Sequence, residues 1–310
     1  MREIARVLGF ILPCSLLIAP QTFASAVNGQ TVEASIQQVV DTQYLASPEW
    51  LATNYIDSNV LVLDARDSKS YLQGHIPRAI NVQWKDFADV SGSVSSGKWG
   101  TVLPPVELAA KFTAIGLTKD TDVIIYADNK EGWGEDGRFV WMLKMAGFNR
   151  ARMLDGGINA WRDLGYPMDK TIEKPVPGNL TFHRYISSMS IDTPTLASRL
   201  GQVKILDTRT REEFNGTKKY GEARGGHLPG AIHFDFHELF GDNMRIKPKS
   251  EIEKLLAQRG ITKEDTLVAY CTAGIRSAEM AMVLGMYGYN VTNYAEGFYA
   301  WAASNYPVGP

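Results

Sequence analysis

The chain repeats itself, and this repeat constrains its fold more than any other feature. Four stretches of sequence recur in the same order in the two halves. The matching stretches are Leu-Val-Leu-Asp-Ala-Arg at 61–66 with Lys-Ile-Leu-Asp-Thr-Arg at 204–209, Gly-His-Ile-Pro-Arg-Ala at 74–79 with Gly-His-Leu-Pro-Gly-Ala at 226–231, 123–126 with 267–270, and 157–161 with 297–301. Self-similarity of this extent indicates a tandem duplication, so we expect two domains of the same fold.

Within each half, short runs rich in β-branched residues alternate with stretches of helical spacing. The predicted strands are Val60–Leu63, Val123–Tyr126, Val203–Leu206 and Leu267–Tyr270, and the predicted helices include Pro105–Ile115 and Ser250–Arg259. A capping box of Ser250 and Glu253 should begin the second of these helices. Strands separated by helices of this length favour an α/β fold, in which each domain has a central parallel sheet flanked by helices.

The first 26 residues have the pattern of a secretory signal peptide. Arg2 and Arg6 precede an apolar run from Val7 to Ala19, and Ala24-Ser25-Ala26 is a small-residue cleavage pattern. We therefore predict a signal peptide over 1–26 and a periplasmic or secreted protein. Because the apolar run is too short to span a bilayer, we expect no membrane association after cleavage.

Composition and cysteine usage narrow the function. The formal net charge is −2 and no basic block is present, which argues against a nucleic-acid partner. Once the signal peptide is removed, Cys271 is the single cysteine of the chain. Exported proteins normally carry paired cysteines or none, so an unpaired thiol in that setting indicates a chemical role.

Cys271 lies where a reactive thiolate would be built. It follows the predicted strand Leu267–Tyr270 and precedes the loop Thr-Ala-Gly-Ile-Arg and a helical pattern. In parallel sheets the ligand site lies beyond the carboxyl ends of the strands, where Cys271, Asp207 and Arg209 all fall. Loop N–H groups and a helix N-terminus favour negative charge, so we expect the pKa of this thiol to lie below that of free cysteine.

These residues resemble the rhodanese family of sulfurtransferases in its two-domain form. The resemblance covers both halves from about Gln43 onwards, through the Asp-x-Arg strand ends, the Gly-His-[Ile/Leu]-Pro turns and the cysteine before Thr-Ala-Gly-Ile-Arg. It implies two tandem rhodanese-like domains at 40–170 and 191–310, which the segment 171–190 joins as a linker. It also implies that Cys271 carries a sulfane sulfur as a persulfide.

The sulfur transfer that the resemblance implies sets the roles of the loop. A thiolate attacks the outer sulfur of an anionic donor, and an acceptor later attacks the resulting persulfide. The N–H groups of the substrate-binding loop would stabilise both charged states, and the Arg276 guanidinium would bind the anionic end of the donor. The predicted substrate-binding residues are Thr272, Ala273, Gly274, Ile275 and Arg276. No metal and no organic cofactor is required for this chemistry.

The first half serves as an internal control. Alignment of the halves places Ala127 where Cys271 stands, so the N-terminal domain is predicted to be inactive. Its loop at 126–138 is six residues longer than the loop at 270–276, and its acidic residues would repel an anionic donor. Those acidic residues are Asp128, Glu131, Glu135 and Asp136. We expect this longer loop to be structural or to form one wall of the cleft.

Three hypotheses remain open. The first is an exported sulfurtransferase that moves sulfur from thiosulfate, or from 3-mercaptopyruvate, to a thiol or cyanide acceptor; the single loop arginine favours thiosulfate. The second is a persulfide carrier that docks a protein sulfur acceptor and turns over small donors poorly. The third is a phosphatase-like hydrolase or arsenate reductase, which the spacing Cys-x4-Arg disfavours because related phosphatases use Cys-x5-Arg to surround a phosphate.

Several other residues have structural interpretations. For Arg276, the alternative to substrate binding is an ion pair that braces the loop, with Asp207 or Glu279 as the partner. The residues that occupy equivalent positions in the two halves are expected to fix strand ends, form turns and fill cores. They are Asp64 and Asp207, Arg66 and Arg209, His75 and His227, and Trp161 and Trp301.

Overall fold

The computed structural model describes residues 43–309 of the chain. The predicted signal peptide at 1–26 and the start of the predicted N-terminal domain at 40–42 lie outside the described residues. Between residues 43 and 309, no helix combines the length and the apolar character that crossing a membrane requires.

Each half of the chain contains one parallel sheet. The strands of the first sheet are β1 Leu45–Ala46, β2 Val60–Asp64, β3 Ile80–Asn81, β6 Asp122–Tyr126 and β7 Ala151–Leu154, in the order β1-β7-β6-β2-β3. Those of the second are β8 Lys204–Asp207, β9 Ile232–His233, β10 Thr266–Tyr270 and β11 Asn290–Asn293, in the order β11-β10-β8-β9. A short antiparallel pair, β4 Ala88–Asp89 with β5 Thr101–Val102, follows β3 in the chain.

Helices alternate with these strands. The helices of the first half are α1 Pro48–Asn54, α2 Ser68–Gln73, α3 Pro105–Ala114, α4 Glu135–Met145 and α5 Gly157–Asp163. Those of the second half are α6 Thr193–Ser198, α7 Arg211–Phe214, α8 Lys249–Ala257, α9 Arg276–Met286 and α10 Gly297–Ala303. Short 3₁₀ helices occupy Trp84–Phe87, Val94–Ser96, Ser187–Met189 and Phe236–Leu239. The predicted α/β architecture of two tandem domains is confirmed.

Both faces of each sheet are buried, as parallel sheets require. In β6, Ile124 belongs to one hydrophobic core, whereas Val123 and Ile125 belong to another, because successive side chains of a strand point to opposite faces. Each half has an outer core of its own. A third core lies between the halves and joins α4, through Trp141, to α9, through Val283. The domains therefore share a central apolar core.

The Asp-x-Arg motifs make the same bonds in both halves. Arg66 Nη2 donates to the Asp64 carboxylate at 2.6 Å and to the carbonyl oxygen of Gly74 at 2.9 Å. Arg209 Nη2 donates to the Asp207 carboxylate at 2.6 Å and to the corresponding glycine of the second half at 2.8 Å. Each pair is buried. The prediction that these motifs fix strand ends and turns is confirmed.

The paired histidines and tryptophans are structural as well. His75 and His227 each bond through Nδ1 to a carbonyl oxygen of the helix before them, at 2.9 and 3.0 Å. Trp161 and Trp301 are fully buried, and each donates its indole N–H to the carbonyl of the proline six residues later, at 2.8 Å. Their predicted roles in turns and cores are confirmed.

One predicted helix start is wrong. Helix α8 begins at Lys249, and Pro248 occupies its cap position without a side-chain hydrogen bond. The proline ring fixes the backbone angle φ at this position, so the helix starts before Ser250 can serve as a cap. A capping box of the second half lies instead at the start of α7, where the Thr210 hydroxyl and the Glu213 carboxylate each bond to the other's N–H.

Candidate active site

The loop between β10 and α9 places Cys271 at the carboxyl end of a central strand. Strand β10 ends at Tyr270 and helix α9 begins at Arg276. Gly274 has a φ of +72°, and a Cβ atom there would lie 2.4 Å from the carbonyl oxygen of Ala295. Both the left-handed conformation and the close approach exclude a side chain, so this turn depends on glycine.

The sulfur of Cys271 receives a main-chain hydrogen bond. The N–H of Ile275 donates to Sγ at 3.2 Å, and Cys271 is only 2% exposed. Burial by itself raises the pKa of the thiol, but the Arg276 charge and the N–H groups of Ser277 and Ala273 outweigh it, so the pKa lies below its usual value. The loop therefore favours the thiolate.

Arg276 is held by a carboxylate. Its Nη1 and Nη2 donate to the two carboxylate oxygens of Glu213 at 2.7 and 2.8 Å, and Nη2 also donates to Oγ1 of Thr272 at 2.9 Å. Burial acts to raise the pKa of Glu213, but its bonds to Arg276 lower it to about 2. The predicted ion-pair partners of Arg276 are wrong: Asp207 already pairs with its own arginine, and Glu279 faces the other half.

Cys271 lines a pocket of about 270 Å³ between the two halves of the chain. The predicted site residues that line it are Cys271, Thr272, Ala273, Ile275 and Arg276, whereas Gly274 does not. The first half contributes Trp84, Lys85, Val94, Trp99 and Trp133, and the second half adds Tyr220 and Tyr299. The pocket is therefore built by both domains, although the cysteine belongs to one.

Aromatic rings form much of the pocket wall. Trp99 meets Trp84 edge to face with ring centroids 5.5 Å apart, and it meets Tyr299 in the same way at 5.7 Å. Trp133 meets Tyr220 at 5.6 Å. Such T-shaped pairs are a favourable arrangement of aromatic side chains, so the rings support one another across the domain boundary.

Lys85 supplies the positive charge of this pocket that has no carboxylate partner. Its amino group lies 5.8 Å from the ring centroid of Trp99 and 6.0 Å from that of Trp84. The other cation of the lining, Arg276, is paired with Glu213. Among the described residues, no acidic side chain forms a salt bridge with Lys85, so its charge is available to an anion in the pocket.

Sequence reasoning pointed to the loop that carries Trp133 and missed the other pocket residues outside the Cys271 loop. A difference in segment length could have pointed to four of them: Pro105 lies 26 residues after Ala79 in the first half, whereas Lys249 lies 18 residues after Ala231 in the second. The longer segment contains Trp84, Lys85, Val94 and Trp99.

No group of three or more His, Cys, Asp or Glu side chains within 43–309 is arranged to hold a metal ion. His233 Nε2 lies 2.8 Å from the carbonyl oxygen of Arg209, and His237 Nδ1 lies 2.8 Å from the Asp235 carboxylate. These two histidines are thus engaged in local bonds.

A family model named Rhodanese-like domain matches the chain twice, at residues 47–164 and at residues 193–304. The chain belongs to the rhodanese-like family. The second rhodanese-like segment contains the Cys271 loop, and the first contains the equivalent loop without a cysteine.

Similar proteins cover nearly the whole length of this rhodanese-like chain. The thiosulfate sulfurtransferase of Pseudomonas aeruginosa is 28% identical over 281 residues, which are 87% of this chain and 97% of that protein. A probable 3-mercaptopyruvate sulfurtransferase of the same organism is 30% identical over 276 residues, or 83% of this chain and 94% of that protein.

A solved structure has the same fold. The anaerobic ergothioneine biosynthesis enzyme from Chlorobium limicola, in complex with trimethyl histidine, superposes with a TM-score of 0.74 at 22% identity, over 86% of this chain and 70% of that one. At this level of identity the similarity concerns the fold alone.

The first rhodanese-like domain uses its loop as a wall. Ala127, in the position of the cysteine, is 1% exposed. The Asp128 carboxylate accepts two N–H bonds of its own loop, both at 3.1 Å, and the Glu135 carboxylate accepts the N–H of Trp133 at 2.9 Å. None of the four acidic residues of this loop lines the pocket, whereas Trp133 does. One of the two expectations for this loop, that it forms a wall of the cleft, is confirmed through Trp133. The expected repulsion of a donor has no contact behind it, because the acidic side chains do not line the pocket.

Proposed function

We propose that this chain is an exported sulfurtransferase in which Cys271 carries the transferred sulfur as a persulfide. Sulfurtransferase activity is the broad part of this statement, and it follows from membership of the family and from the two relatives. The bond from the Ile275 N–H to the Cys271 sulfur, beside a pocket, carries the finer part. A fixed N–H at that place stabilises negative charge on the sulfur without reorganisation during the reaction.

The transfer has two steps. The Cys271 thiolate attacks the outer sulfur of thiosulfate; the S–S bond of thiosulfate breaks, and its electron pair leaves with sulfite. A cyanide ion or a thiolate then attacks the outer sulfur of the persulfide, and the Cys271 sulfur leaves again as a thiolate. With cyanide the product is thiocyanate, so no proton or electron has to be supplied from elsewhere.

Two cations stand in the lining, with different tasks. The guanidinium of Arg276 is hydrogen-bonded to the Glu213 carboxylate through both Nη atoms, so it stabilises the loop. Its charge lowers the pKa of Cys271 without direct binding of the donor. Lys85 has no such partner and lies beside the aromatic wall. We therefore assign the anionic end of the donor to Lys85, with Arg276, the residue predicted for this contact, in support.

The aromatic wall favours 3-mercaptopyruvate as the second candidate donor. Thiosulfate carries two negative charges and would be desolvated against rings, with one cation free of a carboxylate to meet it. Mercaptopyruvate carries one charge and an apolar carbon. The thiolate would attack its sulfur, the C–S bond would break, and the electron pair would leave as the enolate of pyruvate, which takes a proton from water.

The decisive experiment measures thiocyanate formation by purified protein with cyanide and either donor. We expect turnover with thiosulfate, loss of turnover in Cys271→Ser, and an added mass of one sulfur atom on the wild-type chain after exposure to the donor. A higher kcat/KM for 3-mercaptopyruvate would support the second donor. Added mass without turnover would support a persulfide carrier that serves a protein acceptor.

Two further outcomes would contradict the proposal. If neither donor gives thiocyanate or added mass, Cys271 is not a sulfur carrier. If the protein instead cleaves phosphate esters, the hydrolase hypothesis is correct. We do not expect this outcome, because the pairing of Arg276 with Glu213 keeps the arginine from binding a phosphate.

Export is a separate part of the proposal, and the amino-terminal pattern at 1–26 supports it. Expression in a Gram-negative host followed by fractionation and N-terminal sequencing tests it. We expect periplasmic or secreted protein that begins directly after Ala26. Full-length protein confined to the cytosol would contradict export but leave the chemistry of Cys271 untouched.

A further inference from the structure

An arginine of the inactive domain reaches the catalytic loop of the other domain. Arg138 lies in the first turn of α4 and is completely buried. Its Nη1 donates to the carbonyl oxygen of Gly274 at 3.0 Å and to that of Ala273 at 3.3 Å, and its Nη2 donates to Gly100 at 3.0 Å. Two of these three acceptors belong to the loop that holds Cys271.

These bonds determine which way the loop amides point. In a planar trans peptide the C=O and the N–H point in opposite directions. The carbonyl of Gly274 shares its peptide plane with the N–H of Ile275, the group that donates to the Cys271 sulfur at 3.2 Å. Arg138 draws this carbonyl away from the sulfur, with help from Asn293 Nδ2 at 3.3 Å. Because the Gly274 carbonyl is bonded on the side away from the sulfur, the N–H of Ile275 points toward it.

Arg138 also brings a charge that has no carboxylate partner. Its bonds go to carbonyl oxygens, its Nε has no hydrogen-bond partner among the described residues, and no acidic side chain of residues 43–309 forms a salt bridge with it. Burial lowers the pKa of Arg138 to about 10, against an opposing effect of Cys271, so it remains a cation at neutral pH. A buried charge is costly unless an opposite charge answers it. The Cys271 thiolate is the group that can do so.

Other charged or titratable groups act on the same sulfur and define the background. Arg276 of α9 faces the sulfur but is paired with Glu213 of α7. Tyr299 of α10 is another titratable neighbour of Cys271, and Tyr220 lies beside it in the pocket lining. Within residues 43–309, Lys85 lies in the pocket lining without a carboxylate partner but makes no bond to the loop. Since Glu213 offsets the charge of Arg276, Arg138 is, in the described part of the chain, the cation bonded to the loop whose charge no carboxylate offsets.

We propose that Arg138 is a positioning residue for Cys271: from the domain without a nucleophile, it orients the loop amides toward the sulfur and supplies the cation that the thiolate and the persulfide require. This inference rests on the proposed function for its catalytic consequence. Its effect on the thiol is independent of any donor, so the two can be tested apart.

The test compares three variants with the wild-type protein. Arg138→Met removes the charge and the donors, Arg138→Lys keeps the charge but loses the fork, and Arg245→Gln is the matched control. Arg245 joins the two halves through a 2.6 Å bond to Glu49, without contact to the loop. The readouts are the thiol pKa, from the pH dependence of the rate of iodoacetamide alkylation, and kcat and KM for the donor.

In Arg138→Met we expect the thiol pKa to rise by about one unit or more, and kcat to fall at least tenfold, while KM for the donor changes less than threefold. Arg138→Lys should lie between this variant and the wild type in both readouts, and Arg245→Gln should match the wild type. If Arg138→Met does not fold, Arg138→Lys decides by the same readouts.

The inference would be overturned if the folded Arg138 variants kept the wild-type thiol pKa and a kcat within twofold of the wild-type value. An equal change in Arg245→Gln would do so as well, because the effect would then come from domain docking. If the wild-type protein transfers no sulfur but the thiol pKa still depends on Arg138, the proposed function fails and the positioning role stands.

Discussion

The two halves of this chain have the same scaffold and differ where the chemistry is. Strands β2 and β8 each end in the aspartate of a buried Asp-x-Arg pair. In both halves the arginine also bonds to the turn that follows. The halves differ in the loop that follows the neighbouring strand of the sheet, β6 or β10. After β6 stand Ala127 and a long, internally bonded loop, whereas after β10 stand Cys271 and a short turn through Gly274. The scaffold positions a strand end, and the length and residues of one loop decide whether a thiol with a lowered pKa lies there.

The half without the cysteine has not become inert. Its extended loop contributes Trp133 to the pocket, its inserted segment contributes Lys85, and its helix α4 sends Arg138 to the loop of the other half. Because the central hydrophobic core is shared, these contacts are held by the same packing that joins the domains. The comparison indicates that duplication produced one site from two domains.

The largest expected difference between the halves concerns the two equivalent positions 127 and 271. We expect Cys271→Ser to lower kcat for thiocyanate formation by at least about 1000-fold with an unchanged Tm, because it removes the nucleophile. Ala127→Cys in that background should restore less than about 1% of the activity, since the first loop does not form the same short turn. Substantial activity from a cysteine at 127 would show that the scaffold alone suffices.

A second test concerns the ion pair that the first half lacks. Glu213→Gln leaves the buried Arg276 without its carboxylate, and we expect the free energy of unfolding to fall by about 3 kcal/mol at pH 7. The pKa of Glu213 is lowered in the fold, from 4.5 to about 2, so this stabilisation is present above pH 4.5 and is lost as the pH falls toward 2.

Urea denaturation of both proteins from pH 7 to pH 2.5 measures this effect. The difference in free energy of unfolding between wild type and Glu213→Gln should shrink steadily below pH 4.5. The control is Glu212→Gln, at the exposed neighbouring residue, and we expect it to differ little from the wild type at any pH. A difference that is independent of pH would contradict the assigned ion pair.

A third test asks whether the first half binds the donor. We expect Lys85→Met to raise KM for thiosulfate about three- to tenfold with little change in kcat, because the pocket loses its uncompensated cation. The effect should diminish at high ionic strength. Lys98→Met, which removes an exposed lysine of the same segment outside the pocket lining, is the control. Equal behaviour of the two variants would show that Lys85 has no special role.

A fourth test concerns the contact between α4 and α9. Burial raises the pKa of Glu279 well above 4.5, and the nearby carboxylates of Asp136 and Glu135 raise it further. The native state thus retains a proton that the unfolded chain has lost, and stability falls as the pH rises above about 4.5 toward the folded-state pKa.

Glu279→Gln should remove this part of the pH dependence. We expect its Tm to exceed that of the wild type by a margin that grows between pH 5 and 8, from a free-energy difference of at most about 1.4 kcal/mol per pH unit. Differential scanning calorimetry across this range measures it, with the exposed Glu131→Gln as the control. Parallel Tm curves for wild type and Glu279→Gln would contradict the raised pKa.

Sequence patterns predicted what depends on neighbours in the chain. The Asp64–Arg66 pair is two residues apart, and the bond between the Ile275 N–H and Cys271 spans four. Such features are local in the chain, so the fold, the strand ends and the position of Cys271 directly after β10 could be predicted. Glu213, the carboxylate partner of Arg276, is 63 residues away in the chain, and the contact of Arg138 with the loop spans more than 130 residues. No local pattern encodes pairings at those separations. That is why the partner of Arg276, the aromatic wall and Arg138 required the structure.

The chemistry proposed for this chain requires that main-chain amides and nearby cations keep the Cys271 sulfur ionised. The most direct measurement is the rate of alkylation of Cys271 in the folded protein as a function of pH, followed by intact mass. We expect a single titration with a midpoint clearly below the value of about 8.5 for free cysteine. A midpoint at or above that value, or a cysteine that alkylates only after unfolding, would contradict it.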